Sequence, residues 1–196
     1  MTLSPGLHDV RPGHLAAVVT YLEMAAPEMQ AKPFPEGMTA AQEALSVADY
    51  LTLYRAVGTP WLWCGRLTLS DAALAAAISD PATERWVIRK NGEAIGLVEL
   101  AFSEDQACEL VYFGLIPSAT GLGLGGPMMA LAQQQAFARP IKRFFVHTCN
   151  YDDPRALAFY QKAGFTPYKT VVEIYPDPRA TGVLPKSAAP HIPCLT

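Results

Sequence analysis

The sequence predicts an α/β (α+β) fold, in which a central mixed sheet carries helices on both faces. Two observations support this prediction. The hydrophobic pattern loses its helical period near residue 80, where predicted strands begin, and helices and strands then alternate along the rest of the chain. The length of 196 residues suits one domain. We expect a Pro-rich N-terminal extension over about residues 1–37 and a Pro-rich C-terminal arm over about residues 176–196.

The composition excludes several classes of protein. With 51% hydrophobic and 17% charged residues, the chain is not predicted to be disordered. A net charge of −3 without a basic stripe argues against a nucleic-acid partner. No apolar run is long enough to span a membrane, and the start lacks a secretory signal pattern. We therefore expect a cytoplasmic protein whose widely spaced cysteines are reduced thiols, neither a zinc site nor disulfides: Cys64, Cys108, Cys149 and Cys194.

The N-terminal half contains two predicted helices after an ambiguous segment. His14–Met24 has β-branched residues that favour a strand, although its Leu and Ala residues also allow a helix. A short strand or loop is expected around Met38–Leu45. Val47–Val57 has apolar residues at helical spacing, and Ser70–Ser79 is an Ala-rich helix with Ser70 as its N-cap.

The C-terminal half begins with a β-hairpin signal, Asn91-Gly92. This turn joins predicted strands at Arg85–Arg89 and Ala94–Phe102. The predicted elements that follow are a strand at Glu109–Ile116, a helix at Gly125–Ala138, a strand at Arg143–Cys149, a helix at Pro154–Ala163 with Asp153 as N-cap and Pro154 at its first position, and a strand at Tyr168–Tyr175.

A glycine-rich turn precedes the helix that starts at Gly125. It consists of Thr120, Gly121, Leu122, Gly123, Leu124, Gly125 and Gly126. Glycines let a backbone approach a ligand, and a helix start offers unpaired N–H groups, so the turn suits a phosphate or pyrophosphate. The spacing also matches the dinucleotide fingerprint GxGxxG, but four residues separate it from the preceding strand. A glycine-rich connection without a ligand is the remaining alternative.

Two motifs in order resemble the GNAT superfamily of N-acetyltransferases. The turn resembles that family's motif A, Arg/Gln-x-x-Gly-x-Gly/Ala, with Thr120 in place of the usual Arg or Gln. Ala156–Phe165 resembles the family's A-x-x-x-Y-x-K-x-G-F segment. The resemblance covers about residues 80–170, and 38–80 loosely. It implies a mostly antiparallel mixed sheet and an N-acyltransferase that moves acetyl directly from acetyl-coenzyme A (acetyl-CoA) to an amine of a small molecule or peptide.

The resemblance also implies roles for particular residues. The backbone amides of the glycine-rich turn would bind the pyrophosphate of acetyl-CoA. The backbone of Leu115 and Ile116 would pair with pantetheine, and Asn150, rather than Asp153, would contact the coenzyme. Tyr160 would protonate the departing thiolate.

Glu109 is the expected catalytic base. Strand alternation would place it on one face with Val111, Phe113 and Leu115, where apolar surroundings could raise its pKa. Glu99 is the alternate base.

His147 lies in the predicted strand Arg143–Cys149. A lone histidine in a strand of this kind is more often a hydrogen-bonded core residue than a base. Trp61, Trp63 and Arg66 could bind a planar or anionic acceptor. Alternatively, the tryptophans pack in the core and Arg66 faces water.

Two questions stay open at this point. Because Thr120 departs from the motif, a non-catalytic coenzyme A-binding module, acting as a sensor or assembly protein, is the alternative function. The apolar residues of the C-terminal arm, Val183, Leu184, Ile192 and Leu195, indicate packing either on the core or on a second copy of the chain. A homodimer and a monomer with folded-back arms both fit this pattern.

Overall fold

A computed structural model describes residues 3–195 of the protein. Within that range, seven strands form one sheet with the order β2-β3-β4-β5-β6-β1-β7. The strands are β1 His14–Met24, β2 Met38–Gln42, β3 Thr83–Lys90, β4 Glu93–Ser103, β5 Ala107–Leu115, β6 Arg143–Cys149 and β7 Thr166–Pro176. The helices are α1 Val47–Gly58, α2 Asp71–Ser79, α3 Gly125–Phe137 and α4 Ala156–Lys162, with 3-10 turns at Thr59–Trp61 and Pro117–Ala119.

The helices cover both faces of the sheet, as the sequence predicted. Adjacent residues of β4 show the two sides, because side chains alternate along a strand. Leu97 packs in a cluster with Tyr54 of α1 and Leu74 of α2. Val98 packs in the opposite cluster with Met128 of α3. We refer to these sides as the α1 face and the α3 face.

The sheet is mixed and mostly antiparallel, which confirms the predicted fold class. The parallel pair in the order is β5 with β6, and its register covers only Ala107–Glu109 against Arg143–Phe145. Both strands continue beyond this short ladder without pairing to each other. They therefore diverge into a wedge, which is the feature that positions the site.

The first strand lies inside the sheet rather than at its margin. His14–Met24 is a strand, as its β-branched residues favoured, and it pairs antiparallel with both β6 and β7. The expectation of a Pro-rich extension up to about residue 37 therefore misses an interior strand. Sequence pattern alone could not show this position, because both partners of β1 lie more than a hundred residues later in the chain.

Local signals placed one helix start correctly and another wrongly. The Ser70 hydroxyl accepts a hydrogen bond from the Ala73 N–H at 3.3 Å, which confirms the predicted N-cap. The fourth helix begins at Ala156, not at Pro154. Asp153 instead closes a turn ahead of the helix, since its Oδ1 accepts from the Arg155 N–H at 2.9 Å.

The C-terminal arm folds back on its own chain over the α1 face. Leu184 and Ile192 pack against Leu15 of β1. The buried Arg179 pairs with Asp177, and its guanidinium also donates to the backbone carbonyls of Ala188, Ala189, Ile192 and Pro193. Arg179 thereby ties four backbone carbonyls of the arm to Asp177 at its start.

Across residues 3–195, the structure contains no helix with the length and apolar character to cross a membrane.

Candidate active site

A cavity of about 1040 Å³ runs through the wedge between β5 and β6. At one end it reaches the glycine-rich turn and α4. At the other it lies on the α1 face, between residues 61–68 and the C-terminal arm. A pocket of this size and shape accommodates a ligand from each end, with the wedge as their meeting point.

The glycine-rich turn has the geometry of an anion cradle. Gly121 and Gly123 have φ values of 88° and 75°, in the left-handed region that favours glycine. Helix α3 starts without a side-chain cap, and its first hydrogen bond runs from the Met128 N–H to the Leu124 carbonyl. Within the turn, the N–H groups of Thr120 and Leu122 already donate to the carbonyls of Pro117 and Ala119, and Pro127 lacks an N–H. The remaining amides of the turn, from Gly121 to Gly126, are free to bind an anion.

Lys32 adds a positive charge to this cradle, and the sequence analysis missed it. Its Nζ lies 3.7 Å from the position that a Cβ would take at Gly126. The buried Gln133 of α3 anchors this segment, because its Oε1 accepts from the N–H groups of Glu28 at 3.0 Å and Met29 at 2.9 Å. Thr120 brings no charge to the turn, whereas Lys32 does.

A β-bulge in β5 changes which residues share a face. The register between β4 and β5 skips Val111, so the alternation shifts by one residue there. Glu109 consequently lies on the α1 face with Tyr112, while Phe113 and Leu115 lie on the α3 face. The predicted common face for Glu109, Val111, Phe113 and Leu115 is wrong for this reason.

The backbone of β5 offers only part of the predicted pantetheine contacts. The Ile116 N–H donates to the Ile95 carbonyl, and the Ile116 carbonyl accepts from the Ala119 N–H, both at 2.9 Å. Both backbone groups of Ile116 are therefore already used. Because successive backbone groups alternate between the two sides of a strand, those of Phe113 and Leu115 point into the wedge.

Glu109 and His147 form a pair where the wedge opens. The Glu109 Oε1 and the His147 Nδ1 are 3.2 Å apart, and His147 lines the cavity. The hydrogen bond to Glu109 raises the pKa of His147 above its ordinary value, in spite of partial burial. With Nδ1 engaged by Glu109, Nε2 is the nitrogen left to accept a proton. The Tyr21 ring packs against the imidazole, with centroids 5.3 Å apart.

Glu99, the alternate base, is enclosed within a polar cluster. It is fully buried, forms an ion pair with Arg66, and accepts a hydrogen bond from the Tyr50 hydroxyl at 2.9 Å. Both carboxylate oxygens are therefore occupied. Arg66 is paired with Glu99 and does not line the cavity, so the structure gives its predicted contact with an anionic acceptor no support.

Trp61 and Trp63 both line the cavity but in different settings. Trp63 packs against Tyr112 and Tyr54, with ring centroids 5.0 and 5.7 Å apart. Trp61 lies beside His191 of the C-terminal arm, with ring centroids 6.2 Å apart. Trp61 is thus the tryptophan at the end of the cavity away from the glycine-rich turn.

Tyr160 lies on α4 at the cavity wall. Its ring packs among Phe113, Phe159 and Phe165. This burial raises the pKa of the Tyr160 phenol, so the hydroxyl stays protonated and can donate a proton.

Asn150 is occupied elsewhere. Its Oδ1 accepts from the Val18 N–H at 2.7 Å, and its own N–H donates to the Val18 carbonyl at 3.2 Å. In the segment between β6 and α4, the residues that line the cavity are Asp152, Asp153 and Arg155. The structure thus gives the predicted coenzyme contact of Asn150 no support.

One cavity thus connects a glycine-rich turn suited to an anion, two diverging parallel strands and the Glu109–His147 pair. The model of the acetyltransferase (GNAT) family matches residues 50–165. The chain therefore belongs to the GNAT acetyltransferase family.

Individual relatives agree with this assignment. An uncharacterized N-acetyltransferase of Escherichia coli (strain K12), YjgM, is 31% identical over 90 residues, which are 44% of this chain and 53% of that protein. The chain thus spans about half the length of this curated relative.

Solved structures share the fold. A GCN5-related N-acetyltransferase from Kribbella flavida matches with a TM-score of 0.57 and 22% identity, over 85% of this chain and 60% of that one. A Bacillus subtilis acetyltransferase in complex with CoA matches with a TM-score of 0.51 and 17% identity, over 66% of this chain and 76% of that one.

Proposed function

We propose that the protein is an acetyl-CoA-dependent N-acetyltransferase that transfers acetyl directly to an amine of a small molecule or peptide. The observation that carries this proposal is the continuous cavity. It joins the anion cradle at α3 to the Glu109–His147 pair through the wedge.

The residues around the wedge fit the coenzyme. The free amides of the glycine-rich turn and the Lys32 ammonium would hold its phosphates. The backbone of Phe113 and Leu115 would pair with its pantetheine amides. When bound, the coenzyme supplies an acetyl thioester as the donor. We leave Asn150 and Ile116 out of this set, because their polar groups already bind within the protein.

His147 is the proposed base, with Glu109 as its positioning residue. An amine reaches the enzyme mainly as an ammonium ion and must lose a proton before its nitrogen can attack. His147 Nε2 accepts that proton, and the Glu109 carboxylate stabilises the resulting imidazolium. This revises the expected role of Glu109, since it acts through its neighbour.

Tyr160 is the proposed acid, because its buried phenol donates a proton to the departing sulfur. The two cysteines on the cavity wall, Cys64 and Cys149, support direct transfer. Burial raises the pKa of Cys149 to about 11 and also raises the pKa of Cys64, so both remain thiols and are poor nucleophiles.

Coenzyme binding tests the first half of this proposal. Thermal unfolding is measured with acetyl-CoA, coenzyme A and NAD in parallel, since a ligand that binds only the native state raises its stability by about 2.7 kcal/mol at a hundredfold excess over Kd. We expect a rise with acetyl-CoA and coenzyme A but not with NAD. Lys32→Met should weaken acetyl-CoA binding about threefold, as an exposed charge contact does, and Lys90→Met should not.

A shift with NAD alone, or with none of the three, would contradict the proposed cofactor. Coenzyme binding without transfer to any amine would instead identify the non-catalytic module.

Tyr160→Phe tests the proposed acid. We expect kcat to fall about tenfold, because the proton donor is lost, with little change in acetyl-CoA Kd. The release of coenzyme A thiol gives the rate, and Tyr168→Phe on β7 is the matched control. An unchanged kcat would remove Tyr160 from the mechanism.

A further inference from the structure

The end of the cavity on the α1 face forms a chamber with apolar walls. Its floor consists of β1, β6 and β7, where Ala17 and Val19 leave room above the sheet. Trp61 stands on one side of the chamber, and Tyr175 and Val183 of the C-terminal region stand on the other. A ring-sized apolar group fits such walls.

Glu173 is the carboxylate that faces this chamber. It lies opposite Ala17 in the register of β1 and β7 and lines the cavity. Cys64 and His147 line the same cavity, and the negative charge of Glu173 contributes to their raised pKa values. Across residues 3–195, none of the ion pairs includes Glu173.

The other charged groups on the cavity wall and the buried pair behind it already have partners within the protein. Arg66 pairs with Glu99, and Arg155 pairs with Asp153. Asp152 accepts from the Thr148 hydroxyl at 2.7 Å and from the Cys149 N–H at 2.9 Å.

Beyond these groups, Lys169 lies over the Tyr21 ring, 5.2 Å from its centroid, further along β7. The chamber therefore presents a negative charge, and it presents no free cation to bind a carboxylate among the described residues that line it.

We propose that the acceptor is a cationic amine with an apolar, ring-sized body and no carboxylate, and that Glu173 binds its ammonium group. This inference rests on the proposed N-acetyltransferase function and names its acceptor class. Glu173 and His147 lie on opposite sides of β1, across from Ala17 and Tyr21, so they act in turn. Glu173 binds the incoming ammonium, and His147 Nε2 takes one proton from it once the nitrogen has moved to the wedge. The acceptor nitrogen becomes neutral and nucleophilic only beside the wedge.

Three amines that differ in one feature each test this inference. Phenethylamine has the ammonium group and the apolar ring without a carboxylate. Phenylalanine adds a carboxylate, and ethylamine lacks the ring. Binding of each is measured by calorimetry to the full chain in the presence of coenzyme A, and acetyl transfer is measured separately with acetyl-CoA. We expect phenethylamine to bind at least about tenfold more tightly than either of the others.

Variants locate the effect at Glu173. Glu173→Gln should weaken phenethylamine binding about tenfold without changing the affinity for coenzyme A, because it removes only the charge that pairs with the ammonium. Glu173→Asp should recover part of the loss. Glu104→Gln, which removes an exposed carboxylate in the turn before β5, is the matched control and should have no effect.

The outcomes separate this inference from the proposed function. Equal or tighter binding of phenylalanine, or an unchanged phenethylamine affinity in Glu173→Gln, would overturn the inference even if amines are acetylated. Binding of phenethylamine that depends on Glu173, without any acetyl transfer, would support the site and overturn the proposed function.

Discussion

Glu99 and Glu109 lie on neighbouring strands of the sheet and face the same side of it, yet the structure uses them differently. Glu99 is enclosed by Arg66 and Tyr50 and is fully buried. Glu109 is partly exposed and meets an ionisable histidine where the wedge opens. If the proposed mechanism holds, the partners of a carboxylate, rather than its residue type, decide between a structural and a catalytic role.

The strongest test of this comparison is His147→Gln. If His147 accepts the proton from the acceptor, kcat should fall about 100-fold to 1,000-fold, as for loss of a general base. The rate is measured as acetyl transfer to an amine, at saturating acetyl-CoA. His8→Gln, an exposed histidine near the N-terminus, is the control. A rate within twofold of wild type would return the role of base to Glu109 alone or to a water path.

Glu99→Ala tests the other side of the comparison. Removing one partner of a buried ion pair leaves the other without compensation, so the free energy of unfolding should fall by about 3 kcal/mol. Urea unfolding measures this loss. In contrast, Glu109→Gln should cost less than about 1 kcal/mol, because that pair is exposed to solvent. If Glu99→Ala left stability intact but abolished transfer in the folded enzyme, the two roles would be reversed.

Glu109→Gln should also change the pH dependence of the rate. The Glu109 hydrogen bond raises the pKa of His147, and the neutral imidazole is the active form, so the wild-type rate rises as pH increases through that raised value. Without the carboxylate, the pKa of His147 falls, and the acidic limb should move to lower pH. The profile of kcat/KM from pH 5 to 9 measures this shift. If the acidic limb of the profile did not move, Glu109 would not influence the group whose titration sets that limb.

The same pair gives a small effect on stability. Because the folded-state pKa of His147 is raised, its stabilisation is fully present below the unfolded pKa of about 6.5 and is lost as pH rises through the folded value. Any stability difference between Glu109→Gln and wild type should therefore appear at acidic pH and vanish at alkaline pH.

The sequence predicted those features that depend on local chemistry. Asn91 and Gly92 adopt φ values of 49° and 87°, as their hairpin signal requires, and Ser70 caps its helix. The glycine-rich turn before α3 follows equally from its own residues. Each of these features is decided within a few positions of the chain.

Features that depend on distant partners could not be predicted in this way. The bulge at Val111 is a matter of register between strands, and it moves Glu109 to the other face. Lys32 reaches the cradle only because Gln133 anchors its segment. The Asn150 side chain accepts a hydrogen bond from the Val18 N–H, and no residue near Asn150 in the sequence signals this contact. Local pattern therefore found the cradle, whereas the assignment of side chains within the site needed the structure.

The interior position of β1 has a consequence for how the molecule is made. Strand β1 is synthesised well before β6 and β7, with which it pairs, so three of the seven strands wait for the C-terminal region before they can pair. Pairings between such distant segments fold slowly. Because Ala17 and Val19 of β1 line the cavity, a chain shortened to residues 50–165 would keep the family motifs but lose β1 and β7 from the floor beneath the acceptor chamber. Complete synthesis of the described sheet therefore precedes assembly of the site.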